Sequence, residues 1–397
     1  MRCSDGNGLL RQTVIEHSVR HSRLNGNCRT TVVDRASVNT MLPMQSTLTA
    51  IGWPRTEPLP DPPFEAAILA RVIAQHRDQF EIHDGVCVHR ARTPASLRKP
   101  GVDGSHRPHV GDWVFVEGRG KEAALIREIV PRRTVLRRGA AGDHDATQII
   151  AVNLDCVLIV CGLDGDFNLK RIERYLTLVA SSGARPLIVF SKLDRNPEAA
   201  ALVDDARSRF GAQAPVLALN LKSEDSRTLL LSALQPGETI CLVGSSGAGK
   251  STLSNLLLGE ERQATQDVRE HDSRGRHTTT HRSLLSLSNG ACLIDTPGMR
   301  ELKLQAEDEE AIEQSFEDIE ALALQCRFRD CQHAREPGCA IRAALESGQL
   351  DSERLANYRK LSQELTDSKA RAADRKAQEK VVNKSFGKRL VEKYGRR

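Results

Sequence analysis

The sequence predicts three folded parts in series: an N-terminal all-β barrel, a central α/β domain around a parallel sheet, and a C-terminal helical domain built on a metal site. Three observations carry this. Residues 66–139 hold short β-type runs broken by Gly, Asp and Pro; residues beyond about 150 alternate apolar runs with helical ones; residues 326–339 space three cysteines and a histidine as C-x4-C-x-H-x5-C.

Composition bounds the answer. A chain of 397 residues, 39% apolar and 27% charged, fills two or three globular domains, and no apolar run is long enough to cross a membrane. Ten cysteines are too sparse for a disulfide scaffold, and the opening residues lack a basic region followed by an apolar one, so a soluble cytoplasmic protein is expected. The net charge of +5 is a sum of opposed blocks: a surplus of eight over residues 369–397, a surplus of six over 66–139, and a deficit of ten over 140–368. Basic ends around an acidic centre suit a polyanionic partner, with a solvated charged face as the plainer alternative.

Taken in order, residues 1–65 read as a disordered extension and linker. The first forty show no sustained period, a second methionine follows at Met41, and "WPRTEPLPDPPF" at 53–64 is Pro-rich. An upstream start or a transit peptide are the other readings of that opening. Residues 66–140 carry "AAILARVIAQH", "QFEIHDGVCVHRA", "HVGDWVFVEG" and "AALIREIV", about five strands with strict alternation in "DWVFVE". That pattern suits a small closed barrel of the OB type, which binds oligonucleotides on one face; a purely structural barrel stays open. Residues 141–302 alternate "CVLIVCGL", the helix "NLKRIERYLTLVASSG", "RPLIVFSKLD", "APVLALN", "TICLVG" and "ACLIDTPG". Apolar strands separated by helices imply a parallel sheet covered on both faces, with ligands beyond the carboxyl ends of the strands.

The motifs fall at those ends. Gly244, Ser245, Ser246, Gly247, Ala248, Gly249, Lys250, Ser251 and Thr252 form a phosphate loop of the pattern G-x-x-x-x-G-K-S between a strand and a helix. Its backbone N–H groups close around phosphates, Lys250 reaches the terminal phosphates, and the Ser251 hydroxyl binds Mg²⁺. "LIDTPG" ends another strand with Asp295, placed to hold the metal through water, and with Gly298, whose backbone turns toward the terminal phosphate. In "SKLD", Asp194 can accept from the ring N–H and exocyclic amine of guanine, which adenine does not offer, a mismatch that discriminates by roughly 10⁴. GTP is favoured over ATP. Lys192 packs along the base, and Ser191 stands where Asn is usual, which questions the contact to the far edge of the base and the tie to the phosphate loop.

This base-reading strand precedes the phosphate loop by about fifty positions, the reverse of the ordinary order, so the GTPase domain is expected to be circularly permuted. The residue after "DTPG" is Met299, so no polar side chain there orients the attacking water. His277, in "GRHTTT", lies in the segment expected to fold over the terminal phosphate and takes that role. Thr279 is the choice for a further metal contact, with Thr278 and Thr280 as rivals. Cys326, Cys331, His333 and Cys339 complete a tetrahedral zinc site with no open position, hence a structural one, within a helical domain over 303–368. A basic tail, 369–397, follows.

The order "SKLD", "GSSGAGKS", "GRHTTT", "DTPG", then C-x4-C-x-H-x5-C, after a small β-barrel, resembles the ribosome small subunit-dependent GTPase A family from about residue 66 to 370. The resemblance implies an OB-fold, a permuted GTPase and a zinc domain. It also implies action late in maturation of the small (30S) ribosomal subunit, with that subunit and its rRNA as partners. GTP would be hydrolysed to GDP and phosphate under stimulation by the particle, with Mg²⁺, one Zn²⁺ per chain, no membrane and a monomeric chain. It points to His277 as well. Ser191, the long N-terminus and "ALNLKS" depart from the family pattern. The alternative is an RNA-binding GTP switch or scaffold with little turnover.

Overall fold

The computed structural model describes residues 41–394 apart from 77–78, 95–96, 98–105, 119–122, 140–146, 166, 260–281 and 297–307. Five strands, β1 (Ile68–His76), β2 (Gln79–His83), β3 (Val88–Arg92), β4 (Trp113–Glu117) and β5 (Ala124–Ile129), close a ring in the order 1-2-3-5-4-1. The β3–β5 pairing is parallel and β4 returns antiparallel to β1, so the described strands leave no open edge. Ala70, Val72, Phe80, Ile82, Val114, Val116 and Ile126 fill the interior. This is the expected OB-type barrel.

The alternation in "DWVFVE" does not give a wet face. Trp113 and Phe115, opposite Val114 and Val116, are buried under Leu48, Ile51 and Trp53, and the two indoles meet edge to face at 4.9 Å. So part of the stretch expected to be a disordered extension and linker is packed structure: α1 (Met41–Thr49) and the turn after it cap the barrel. Arg71 of β1 is fully buried at this seam. Its guanidinium donates to the carbonyls of Ile51, Gly111 and Asn153 and stacks 5.2 Å from the Trp113 ring; burial pulls its pKa down to about 10.

A hairpin, β6 (Val135–Gly139) with β7 (Thr147–Val152), forms its own two-stranded sheet and leads into the central domain. There β8 (Cys156–Gly162), β9 (Arg185–Ser191), β10 (Val216–Ala218), β11 (Thr239–Val243), β12 (Ser283–Ser286) and β13 (Cys292–Asp295) lie in the order 10-9-8-11-13-12. All but β12 run parallel, and β12 touches β1 through Ala74 and Ser283, which carries the sheet into the barrel. Parallel strands need crossovers that cover both faces. α2 (Leu169–Ser182) and α3 (Ala199–Phe210) lie on one face; α4 (Glu224–Ser232) and α5 (Lys250–Leu258) cover the other. Asn168 caps α2 by accepting from Arg171 N at 3.0 Å, and Gly183 closes it in the left-handed conformation.

The C-terminal part holds α6 (Glu309–Ser315), α7 (Glu317–Ala323), α8 (Ala340–Glu346) and α9 (Ser352–Tyr394). Ile312, Phe316, Ile319, Ile341, Leu355 and Leu361 join the same apolar core as Ile172, Leu176 and Phe210 of α2 and α3. The helical domain is therefore built onto the α/β domain and shares its core.

Candidate active site

Five parallel strands end at one edge of the central sheet, and the chemistry collects there. β11 runs straight into the phosphate loop. Gly244 has φ 149°, and a Cβ on it would lie 2.2 Å from the Val160 carbonyl, so the loop leaves the strand only through glycine. Gly249 has φ 95° and ends the loop at the N-terminus of α5, whose first turn closes with Leu253 N on Gly249 O at 2.8 Å. The first-turn N–H groups and the helix dipole lie at the loop end of this helix, the setting a phosphate requires. Lys250 Nζ donates to Gly244 O at 2.8 Å and to Ser245 O, so the ammonium bends over the loop. Ser251 and Thr252 sit half-buried beside it, and Asp295, half-buried at the end of β13, stands one strand away.

The base end is equally local. Ser191 ends β9 fully buried, and its hydroxyl donates to the Ala248 carbonyl of the phosphate loop at 2.6 Å. The tie that Ser in place of Asn had put in question is present. Lys192 takes φ 60°, and its ammonium pairs with Asp164 at 2.5 Å. Asp194 lies exposed in a short turn, Leu193–Arg195, and pairs with Lys222 at 2.7 Å; that hydrogen bond holds its carboxyl below the usual carboxylate range. Asp164 and Lys222 were not singled out from the sequence. The signal available was position: each follows a strand end, Gly162 and Ala218, at the edge where Asp194 sits. Leu221 also reaches the loop, 3.3 Å from where a Cβ on Gly249 would stand. His277, Thr278, Thr279, Thr280, Gly298 and Met299 lie outside the described residues.

The metal cluster is assembled. Cys326, Cys331, His333 and Cys339 bring their ligand atoms within 4.8 Å of one another, and among the described residues it is one such group of metal-ligating side chains. Cys326 and Cys339 Sγ each lie 3.5 Å from His333 Nδ1 and 3.9 Å from each other. A tetrahedral zinc with its usual bond lengths spaces sulfur and nitrogen ligands at about 3.6–3.8 Å, so the donor set fits that ion. The chain turns tightly to reach it: His333 has φ 55° and Gly338 φ 75°, and Glu336 accepts from its own backbone N–H and from those of Gln332, Ala334 and Arg335, which draws its carboxyl down to about 2.

A phosphate loop on the central strand, the strand carrying Ser191 and Asp194 two places away but earlier in the chain, and Asp295 on the other neighbour fit a GTPase domain in circularly permuted order. Among known proteins, the family described as RsgA GTPase matches residues 129–305; the ABC transporter family matches 230–383, a span that holds the phosphate loop common to both classes. The chain is 48% identical over 368 residues to the small ribosomal subunit biogenesis GTPase RsgA of Xanthomonas campestris pv. campestris (strain B100), covering 89% of this chain and 99% of that one. It is 47% identical over 369 residues to the protein of the same name from Xanthomonas oryzae pv. oryzae (strain PXO99A), with the same coverage. The fold is similar to YjeQ from Thermotoga maritima, with TM-score 0.56, 21% identity and coverage of 76% and 99%. It is also similar to YloQ, a circularly permuted GTPase, with TM-score 0.55, 20% identity and coverage of 78% and 98%. The chain belongs to the RsgA GTPase family.

Proposed function

We propose that this chain hydrolyses GTP on the small ribosomal subunit, late in that particle's maturation, and that hydrolysis times its release. The observation that carries this is the near-full-length identity to relatives named for small-subunit biogenesis, which spans the barrel, the GTPase domain and the cysteine cluster together. The pocket geometry supports the chemistry. The loop amides and Lys250 take the phosphates, Asp194 takes the guanine, and Ser251 and Asp295 hold Mg²⁺, which supplies charge neutralisation at the transferring phosphoryl group. His277 orients the attacking water, with Thr279 and Gly298 beside the terminal phosphate. One Zn²⁺ on Cys326, Cys331, His333 and Cys339 fixes the C-terminal helices. The Lys/Arg surplus of 66–139 and 369–397 supports rRNA contact, for a monomer working in the cytoplasm; among the described residues no helix is long and apolar enough to cross a membrane.

A multiple-turnover GTPase assay with and without small subunits tests the reading, and stimulation by the particle is the expected result. Lack of stimulation would favour a GTP-binding scaffold. In the same assay His277→Ala should bind GTP and the particle normally but turn over slowly and stay bound in GTP; wild-type turnover would remove His277 from the mechanism.

A further inference from the structure

Guanine presents two edges to a protein. One carries donors, N1–H and the 2-amino group; the other carries acceptors, O6 and N7. A side chain that reads the second edge must have a proton to give.

Ser191 has none to spare. A hydroxyl carries one proton, and here it goes to Ala248 O at 2.6 Å, with the next polar atom another acceptor, Cys161 O, at 3.5 Å. The side chain is fully buried. Gly249 of the loop packs closely against it: a Cβ built on Gly249 would stand 3.2 Å from its Oγ and 3.4 Å from its Cβ. A carboxamide at this place could tie the loop and still hold N–H donors for the base; a hydroxyl does one or the other, and the geometry commits it to the loop. The donor-reading edge is differently served. Asp194 is paired with Lys222, whose side chain is 70% exposed, so its release to water frees a charged acceptor for N1–H and the 2-amino group.

We propose that Asp194 supplies the guanine discrimination of this pocket, that residue 191 leaves N7 unread, and that Ser191 is a positioning residue that locks the base strand to the phosphate loop. The proposal rests on residues 188–194 being the base-reading strand.

The test is equilibrium binding of GTP, ATP, ITP and 7-deaza-GTP to the full chain. 7-Deaza-GTP replaces only N7 by C–H and should bind within about 3-fold of GTP, since no hydrogen bond is lost. ITP lacks the 2-amino donor to a carboxylate and should bind at least about 10-fold more weakly. Ser191→Ala should weaken GTP and 7-deaza-GTP by the same few-fold factor, because what it removes is the loop tie. A 7-deaza-GTP affinity tenfold or more below that of GTP in the wild-type chain overturns the proposal while leaving the guanine reading intact. Equal binding of GTP and ATP overturns the guanine reading and the proposal with it.

Discussion

Replacing Glu173 by alanine should loosen the C-terminal helical domain from the GTPase domain. Glu173 lies on α2 and is 2% exposed. Its carboxylate accepts from Arg209 of α3 at 3.0 Å, from Arg354 of α9 at 3.0 Å, and from the Asn357 amide. The two guanidinium groups are themselves nearly buried, with side chains 16% and 12% exposed. Removing one partner of a buried ion pair typically costs about 3–5 kcal/mol, because the charge left behind has lost both water and counter-charge. Here each arginine keeps a second carboxylate. Arg354 holds Asp318 at 2.8 Å and stacks 4.8 Å over Phe316, and Arg209 holds Asp351 at 3.2 Å. Those contacts lower the expected loss to roughly 2–3 kcal/mol.

Urea unfolding followed by circular dichroism, together with the rate of zinc release to a chelator, reads the effect. Glu364→Ala is the internal comparison: it breaks a pair with Arg174 in which both side chains are 24% exposed, and should cost less than about 1 kcal/mol. Glu173→Ala and Arg354→Ala should be strongly non-additive, because they share one network. A loss under about 0.5 kcal/mol for Glu173→Ala, or additive single variants, would refute the claim that this cluster joins the domains.

Three further outcomes follow from the same geometry. Lys250→Ala should weaken GTP at least about 100-fold while circular dichroism stays native, since it removes a charged donor to the phosphates; unchanged affinity for a fluorescent GTP analogue would sink the assignment. Metal analysis should return about one zinc per chain, and Cys331→Ser should lose it and unfold the C-terminal helices locally while GTP still binds; metal-free protein with an unchanged melting curve would reject the site. Burial pushes the Cys156 thiol up to about 12 and raises Cys241 as well. A thiol whose folded pKa is raised stabilises fully below the unfolded value, and that stability drains as pH rises from about 9 toward 12. By pH 10 Cys156 alone should cost about 1.4 kcal/mol, so Cys156→Ala should flatten the fall in the urea midpoint between pH 8 and 10; an identical fall in both proteins would contradict this.

What could be read from the sequence follows from how locally each function is encoded. The phosphate loop and the cysteine cluster were legible because phosphate and zinc demand several groups within a few ångströms, which short contiguous spacings supply. The five barrel strands were legible as strands, but their outer face was not. Trp113 and Phe115 look like one phase of an alternating strand, and only the arrival of Leu48 from α1 and Trp53 from the turn after it buries them. The Asp194–Lys222 and Lys192–Asp164 pairs span 28 residues each, and the Asn357–Glu173 contact spans 184, with no local pattern to announce it. Ser191 departs from the usual base-reading residue, yet its tie to Ala248 depends on a backbone 57 positions on.

Permutation changes which segments are chain neighbours while leaving the sheet's neighbours alone, and this bears on how a nucleotide pocket can act on the C-terminal helices. β11 still lies between β8 and β13, so the phosphate loop, the Ser191–Asp194 segment and Asp295 share one edge. The covalent path from that edge runs from Asp295 on β13 into the segment ahead of α6. A second path is non-covalent. β8 ends at Gly162, Asp164 just beyond it holds Lys192 at the end of β9, and α2 begins at Leu169, carrying Glu173 and Arg174 to their partners on α9. The two paths enter the helical domain at different helices, α6 and α9, and those helices share one apolar core with α2. A packed core and a buried ion network tolerate sliding poorly, so the shared core and the Glu173 network are where the helical domain and the GTPase domain are joined most firmly.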